Sequence, residues 1–244
     1  MSRSKITDDK PTNPAKKFLR WNSDSSIWKY WDKENEEERS IPMATPFIVL
    51  DTLSTVTGFN SPKNCRIWAN EVRSPKHELR VQDKDGEVAV GPWQTIKEKV
   101  SYAKFASSVY AMAKVGDDYE LVNFQLSGCS VGPWFDFVKE LGGNSKLFGD
   151  LAVKVGESKA GKVGRVEFNA PAYTVATRQL SDDARDLAKE KDEELQVYLS
   201  EYFASSPEGK AAETHSKEMT AYEPPAAPNR DTEPEPMPEE DAPF

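Results

Sequence analysis

Short turns between segments of alternating apolar residues are the feature that most limits how this chain can fold. Asp85-Gly86 divides residues 79–90, and Gly116-Asp117-Asp118 divides residues 102–127. A third pair of segments, residues 151–155 and 163–168, flanks a loop rich in glycine and lysine. Turns this short join antiparallel strands, whereas parallel neighbours need long crossovers. The sequence therefore predicts a mainly β chain, and an OB-like small β-barrel with additional hairpins and short helices fits it best.

Two stretches of the sequence predict helices. Residues 132–141 have Pro133 near their start and Gly142-Gly143 directly after them, which suits a short helix. Residues 181–204 are rich in acidic residues and carry an apolar stripe made of Leu187, Leu195, Tyr198 and Tyr202. That spacing predicts a long acidic helix behind the β-rich part of the chain.

Charge is distributed unevenly along the chain. The net charge is −9, yet residues 179–244 hold 18 acidic and only six basic residues, so the rest of the chain is slightly basic. Residues 205–244 contain eight of the 17 prolines and cannot bury enough apolar surface to offset the entropy of ordering. The predicted organisation is an N-terminal arm (1–44), an OB-fold core (45–178), an acidic helix (179–204) and a disordered acidic tail (205–244).

The predicted N-terminal arm is unusually aromatic for a polar segment. Its rings are Phe18, Trp21, Trp28, Tyr30 and Trp31. Two interpretations stay open: the rings attach the arm to the core, or residues 15–21 (AKKFLRW) contact DNA or a neighbouring subunit.

Few residues of the sequence suit catalysis. Of its two histidines, His215 lies in the predicted tail, and Cys65 and Cys129 lack the paired spacing of zinc sites. No phosphate-binding glycine loop is present either. We therefore expect a protein that is not an enzyme and that uses neither metal nor cofactor. With no long apolar segment and no secretory signal, we also expect a cytoplasmic location and no membrane partner.

The strongest binding signal lies in the hairpin of residues 102–127. If a four-residue loop spans Val115 to Asp118, the apolar positions of both strands share one face. The other face then carries aromatic, cationic and amide side chains, namely Tyr102, Lys104, Tyr110, Lys114 and Asn123. Rings that stack on bases, beside amines that neutralise phosphates, suit single-stranded nucleic acid. The alternative for each residue is a solvated lysine or a half-buried core aromatic.

Two other places repeat this chemistry. Arg66 and Trp68 fall on one side of a predicted strand. In the third hairpin, Lys154 and Arg165 are expected to point away from the apolar positions, and the flexible loop 157–164 presents Lys159 and Lys162. These residues complete the predicted DNA-binding set.

The last six residues, EEDAPF, resemble the acidic tip of bacterial single-stranded DNA-binding proteins and the acidic, Phe-terminated tails of phage ones. Residues 46–59 (PFIVLDTLSTVTGF) and 67–73 (IWANEVR) also resemble a tailed-phage branch of such proteins. The resemblance implies a protein that coats single-stranded DNA in replication, recombination or repair, in the cytoplasm of a bacterial host. It also implies recruitment of a polymerase, helicase or primase through Glu239, Glu240, Asp241, Pro243 and Phe244.

Other functional classes remain open from the sequence. One is a recombination annealing protein or an architectural protein that binds double-stranded DNA. A basic groove without exposed aromatic rings would favour duplex, whereas exposed rings would favour single strands. The other class is a metal-dependent nuclease, which would need a cluster of carboxylates around Mg²⁺.

Overall fold

The computed structural model describes residues 12–100, 102–148, 151–176 and 181–205. These residues form eleven strands and three α-helices. The strands are β1 (Lys17–Asn22), β2 (Ile27–Asp32), β3 (Glu37–Ile41), β4 (Phe47–Asn60), β5 (Cys65–Ala69), β6 (Leu79–Asp83), β7 (Gly86–Gly91), β8 (Ala103–Val115), β9 (Asp118–Ser127), β10 (Ala152–Val163) and β11 (Val166–Val175). The helices are α1 (Trp93–Ile96), α2 (Val131–Glu140) and α3 (Asp182–Ser205).

All eleven strands belong to one mixed sheet. Its main path runs β3-β2-β1-β9-β8-β4-β5-β6-β7, and β10 pairs with both β4 and β11. β1 lies parallel to β9, so the region predicted as an N-terminal arm extends the same sheet through β1, β2 and β3. The predicted mainly β class, with a helix at 132–141 and an acidic helix at its end, is confirmed.

The sheet does not close into the expected barrel. Both β10 and β5 pair with β4, β10 near its first residues and β5 near its last, so the sheet branches there. β11 then approaches the end of β1 without pairing with it as a strand. The backbone amide and the side-chain amide of Asn169 both donate to the Ser23 carbonyl oxygen (3.2 and 2.9 Å). The Trp21 indole donates to the Asn169 carbonyl oxygen (2.7 Å).

The inner face of the sheet holds the largest apolar core. Alternate residues of β1, β4, β8 and β9 point to this face because successive side chains of a strand alternate. Trp28 and Phe47 both pack against Phe124, with ring centroids 4.8 and 4.5 Å apart. Trp134 of α2 closes the core and is fully buried.

The opposite face, here called the outer face, is covered only at one end. There α3 packs its apolar stripe, including Leu195 and Leu199, against Tyr110 and Met112 of β8. Asp51 of β4 fixes the helix through a hydrogen bond from the Gln196 side chain (3.3 Å) and itself pairs with Arg73 (2.6 Å). The other end of the outer face is left open. None of the helices among the described residues is long and apolar enough to span a membrane.

One of the predicted hairpin loops has the expected length, and another is shorter than predicted. Val115 pairs with Asp118, so the four-residue loop between β8 and β9 is as predicted. The third hairpin is longer than predicted, because β10 and β11 pair as far as Val163 and Val166. The expected flexible loop 157–164 is therefore mostly strand, and the hairpin reaches beyond the core, where Val163 and Val166 are exposed.

Candidate nucleic-acid interface

A groove of about 1010 Å³ crosses the open end of the outer face. Five neighbouring strands, β5, β4, β8, β9 and β1, contribute to it, and Tyr202 near the end of α3 forms part of its wall. Three aromatic residues along it are about half exposed, namely Phe59, Trp68 and Tyr102. Three cations also line it, namely Arg20, Arg66 and Lys104.

The strand register places rings and cations in rows across the sheet. Thr57 of β4 pairs with Trp68 of β5 on one side and with Lys104 of β8 on the other. Phe59, two residues further along β4, pairs with Arg66. Paired residues lie on the same face of a sheet, about 5 Å apart. One row therefore places the Phe59 ring next to Arg66, and the other places the Trp68 ring and Lys104 on either side of Thr57.

Gly58 allows these strands to approach closely at the end of β4. A Cβ atom at this position would lie against the carbonyl oxygen of Tyr102 and 2.8 Å from the Cα atom of Ala103. Both atoms belong to backbone, which cannot move aside as a side chain can. Glycine at position 58 thus holds Tyr102 beside β4 at the edge of the groove.

The cations of the groove have no carboxylate partner among the described residues. Arg20 instead donates from its Nε atom to Oε1 of Gln125 (3.0 Å). Partial burial lowers the pKa of Arg20, and repulsion from the Arg66 guanidinium lowers it further. Arg20 and Arg66 therefore repel each other and have no carboxylate between them among the described residues. Such a pair of guanidinium groups favours the binding of an anion such as a phosphate.

Among the described residues that line the groove, Glu71 is the only acid. Its carboxylate accepts a hydrogen bond from the Tyr110 hydroxyl (2.7 Å), and its backbone amide donates to the Tyr202 hydroxyl oxygen (2.8 Å). Burial raises the pKa of Glu71, because desolvation disfavours the charged form. This acid therefore opposes the positive charge of the groove less than an exposed carboxylate would.

The structure brings together four of the eleven predicted DNA-binding residues. Arg66 and Trp68 share one side of β5. Tyr102 directly precedes β8 and Lys104 is its second residue, and all four residues line the groove. The sequence pattern thus found part of the groove on two strands that are not neighbours in the chain.

Tyr110 and Asn123 are buried, so their predicted exposure is wrong. Both side chains are 0% exposed, and they form a cross-strand pair at the end of the outer face that α3 covers. The Tyr110 hydroxyl also accepts a hydrogen bond from the Asn13 amide (2.9 Å). A residue enclosed in this way has no surface left for a base or a phosphate.

The remaining predicted residues lie outside the groove. Lys114 is exposed but ten residues along β8 from Lys104, about 33 Å at the rise of a strand. Lys154, Lys159 and Lys162 lie on β10, and Lys162 pairs with Glu167 (2.9 Å). Arg165 lies in the turn between β10 and β11, so it does not share a surface with Lys154. The hairpin and Lys114 form no common site with the groove.

Arg20 and Phe59 were not named in the predicted DNA-binding set, although one of the two interpretations of residues 15–21 already had that stretch contact DNA. Strand alternation could have found both residues. Arg20 lies in the stretch AKKFLRW, where Leu19 and Trp21 turn inward and leave Phe18 and Arg20 outward. Phe59 continues the outward series of Thr55 and Thr57 in β4.

The predicted partner-binding residues Glu239, Glu240, Asp241, Pro243 and Phe244 lie outside the described residues. Within the described residues, no group of three or more histidine, cysteine or acidic side chains could hold a metal ion. Comparison of the chain with protein-family models, with curated proteins and with solved structures gave no match.

Proposed function

We propose that this protein binds single-stranded DNA in the groove on the outer face, without catalysing a reaction. The observation that carries the proposal is the meeting of Phe59, Trp68 and Tyr102 with Arg20, Arg66 and Lys104 on one open surface. Bases stack on exposed rings whatever their sequence, and the cations neutralise phosphates. Double-stranded DNA would keep its bases paired and stacked, so exposed rings favour single strands over duplex.

We further propose that the protein coats exposed strands during phage replication or recombination. The resemblance of residues 46–59, 67–73 and 239–244 to phage single-stranded DNA-binding proteins supports this role. On the same basis, the acidic tip at residues 239–244 recruits a replication or recombination enzyme. Phe244→Ala should then abolish capture of that enzyme and leave the affinity for DNA unchanged within about twofold.

The direct test of the proposed function compares two equally exposed rings. Trp68 in the groove and Phe135 on α2, outside the groove, are each 47% exposed. Anisotropy titrations with labelled single- and double-stranded oligonucleotides should show tighter binding of the single strand. Trp68→Ala should weaken that binding by about 1–3 kcal/mol, the usual contribution of one stacked base.

Phe135→Ala is the matched control and should leave the affinity unchanged. Equal affinities for single strand and duplex, together with no effect of Trp68→Ala, would contradict the proposal.

A further inference from the structure

We infer that the bound single strand continues from the groove, across Phe18, into a second cavity beside Trp31. This inference rests on the proposed function and adds the path of the strand. The second cavity has a volume of about 790 Å³ and shares Asn13 and Phe18 with the groove. The two cavities are therefore neighbours, and no described residue of α3 lines the second one.

Trp31 presents a base-stacking surface in this second cavity. Its side chain is 58% exposed, and it points away from the fully buried Trp28 of the same strand. Arg20 of β1 pairs with Lys29 of β2, and the same register continued by two positions would bring Phe18 opposite Trp31. Both rings line the second cavity. Phe18 thus lies between the rings of the groove and the Trp31 ring.

The charges of the second cavity also suit a phosphate backbone. Lys16 and Lys33 are exposed and form no ion pair with any described residue. Two of the acids that line the cavity are neutralised locally, Glu120 by Lys17 and Asp32 by Arg39. Glu34 is the third acid of the cavity and has no ion pair among the described residues. Lys16 and Lys33 therefore outnumber the carboxylates that are left unpaired.

The length of the path agrees with known site sizes. From Trp68 on β5 to Trp31 on β2 the strand order is β5-β4-β8-β9-β1-β2, which is five steps between neighbouring strands. At about 4.8 Å per step the path crosses about 24 Å of the sheet. The row of Phe18 contains Tyr110 of β8, six residues from Lys104 in the row of Trp68, which adds about 20 Å along the strands. The two rings are therefore about 31 Å apart. A surface of this length accommodates several nucleotides, within the range of about 4–16 for one such binding domain.

The experiment compares oligothymidylates of about 4 and about 12 nucleotides, bound to the full chain. We expect Trp31→Ala to weaken binding of the longer oligomer by about 5- to 150-fold and to change binding of the shorter one less than about twofold. Trp31→Phe keeps a ring and should restore most of the affinity. Phe135→Ala, which removes an exposed ring off the path, should change neither.

A second variant keeps the test independent of the Trp31 ring. Lys33→Ala should reduce the slope of log affinity against log salt for the longer oligomer by about 0.7, the contribution of one phosphate. The slope for the shorter oligomer should stay unchanged. Urea unfolding of both variants should match that of the wild type.

The outcomes separate this inference from the proposed function. If Trp68→Ala weakens binding of both oligomers while Trp31→Ala and Lys33→Ala change neither, the extended path is wrong and the groove stands. If Trp68→Ala also has no effect, the groove itself is wrong. If Trp31→Ala binds both oligomers as the wild type does but no longer binds a protein partner, the cavity belongs to that partner and the inference is wrong.

Discussion

Tyr102 directly precedes β8 and Tyr110 lies within it, eight residues further along and on the same face of the sheet. The two side chains nevertheless differ in their exposure to solvent. Tyr102 is 46% exposed in the groove, whereas Tyr110 is fully buried and hydrogen-bonded to Glu71. The difference comes from α3, which covers the outer face over Tyr110 and ends beside the groove at Tyr202. Alternation along a strand therefore determines the face of a residue, while a distant segment determines whether that face meets solvent.

The same contrast separates the lysines of β8. Lys104 lies in the groove and Lys114 lies at the far end of the strand, although both follow the same pattern of tyrosines and lysines. A surface that binds a chain of phosphates needs its cations within reach of one another. Sequence pattern alone cannot supply this neighbourhood, because it depends on which strands lie side by side.

The largest expected effect is on stability at Tyr110. Tyr110→Ala leaves a cavity under α3 and removes the hydroxyl that donates to Glu71, so we expect a loss of about 3–5 kcal/mol in the free energy of unfolding. Tyr102→Ala removes an exposed ring and should change this free energy by less than about 0.5 kcal/mol. Urea denaturation of the two variants measures both values.

Comparable stability losses at the two tyrosines would show that α3 does not cover the outer face as described. Tyr110→Phe provides a milder control, since it keeps the ring and should cost about 1–2 kcal/mol for the lost hydrogen bond.

The second effect concerns the salt dependence of DNA binding. Lys104→Ala should reduce the slope of log affinity against log salt by about 0.7, the contribution of one phosphate on a single strand. Lys114→Ala removes an exposed charge that lies outside the groove, next to Val115 of the second cavity. For an oligomer of about 4 nucleotides, which the groove alone accommodates, this variant should leave the slope unchanged. Titrations of both variants at several salt concentrations measure the slopes. An equal reduction in both variants with this short oligomer would contradict the location of the strand in the groove.

The smallest effect is a pH dependence of stability from Glu71. Burial raises the pKa of its carboxyl above the ordinary value of 4.5, so the folded protein holds a proton that the unfolded chain releases. The stability due to this proton is fully present below about pH 4.5 and is lost as the pH rises through the folded pKa. Glu71→Gln cannot lose a proton and should lack this decline.

The measurement is the difference in unfolding free energy between wild type and Glu71→Gln at a series of pH values. The wild type should lose stability relative to the variant as the pH rises above about 4.5, and the difference should then level off. A constant difference across this range would contradict the burial of Glu71.

The sequence predicted the strands better than their arrangement. Asp85-Gly86 and Gly116-Asp117 specify turns through local backbone preferences, which act over a few residues, and Pro133 with Gly142 limits α2 in the same way. The branching of the sheet at β4 was not predictable, because β10, which is remote in sequence, pairs with the same edge of β4 as the neighbouring strand β5. In the site, Arg66, Trp68, Tyr102 and Lys104 followed from alternation, whereas the burial of Tyr110 and Asn123 depends on α3.

The central claim is that single-stranded DNA lies in the groove at the open end of the outer face. Photocrosslinking of an oligothymidylate to the full chain, followed by mass spectrometry of the peptides, tests this location directly. We expect crosslinks at Phe59, Trp68 or Tyr102, and none at Tyr110 or in the β10–β11 hairpin. Crosslinks confined to that hairpin or to the neighbourhood of Lys114, with none in the groove, would contradict the claim.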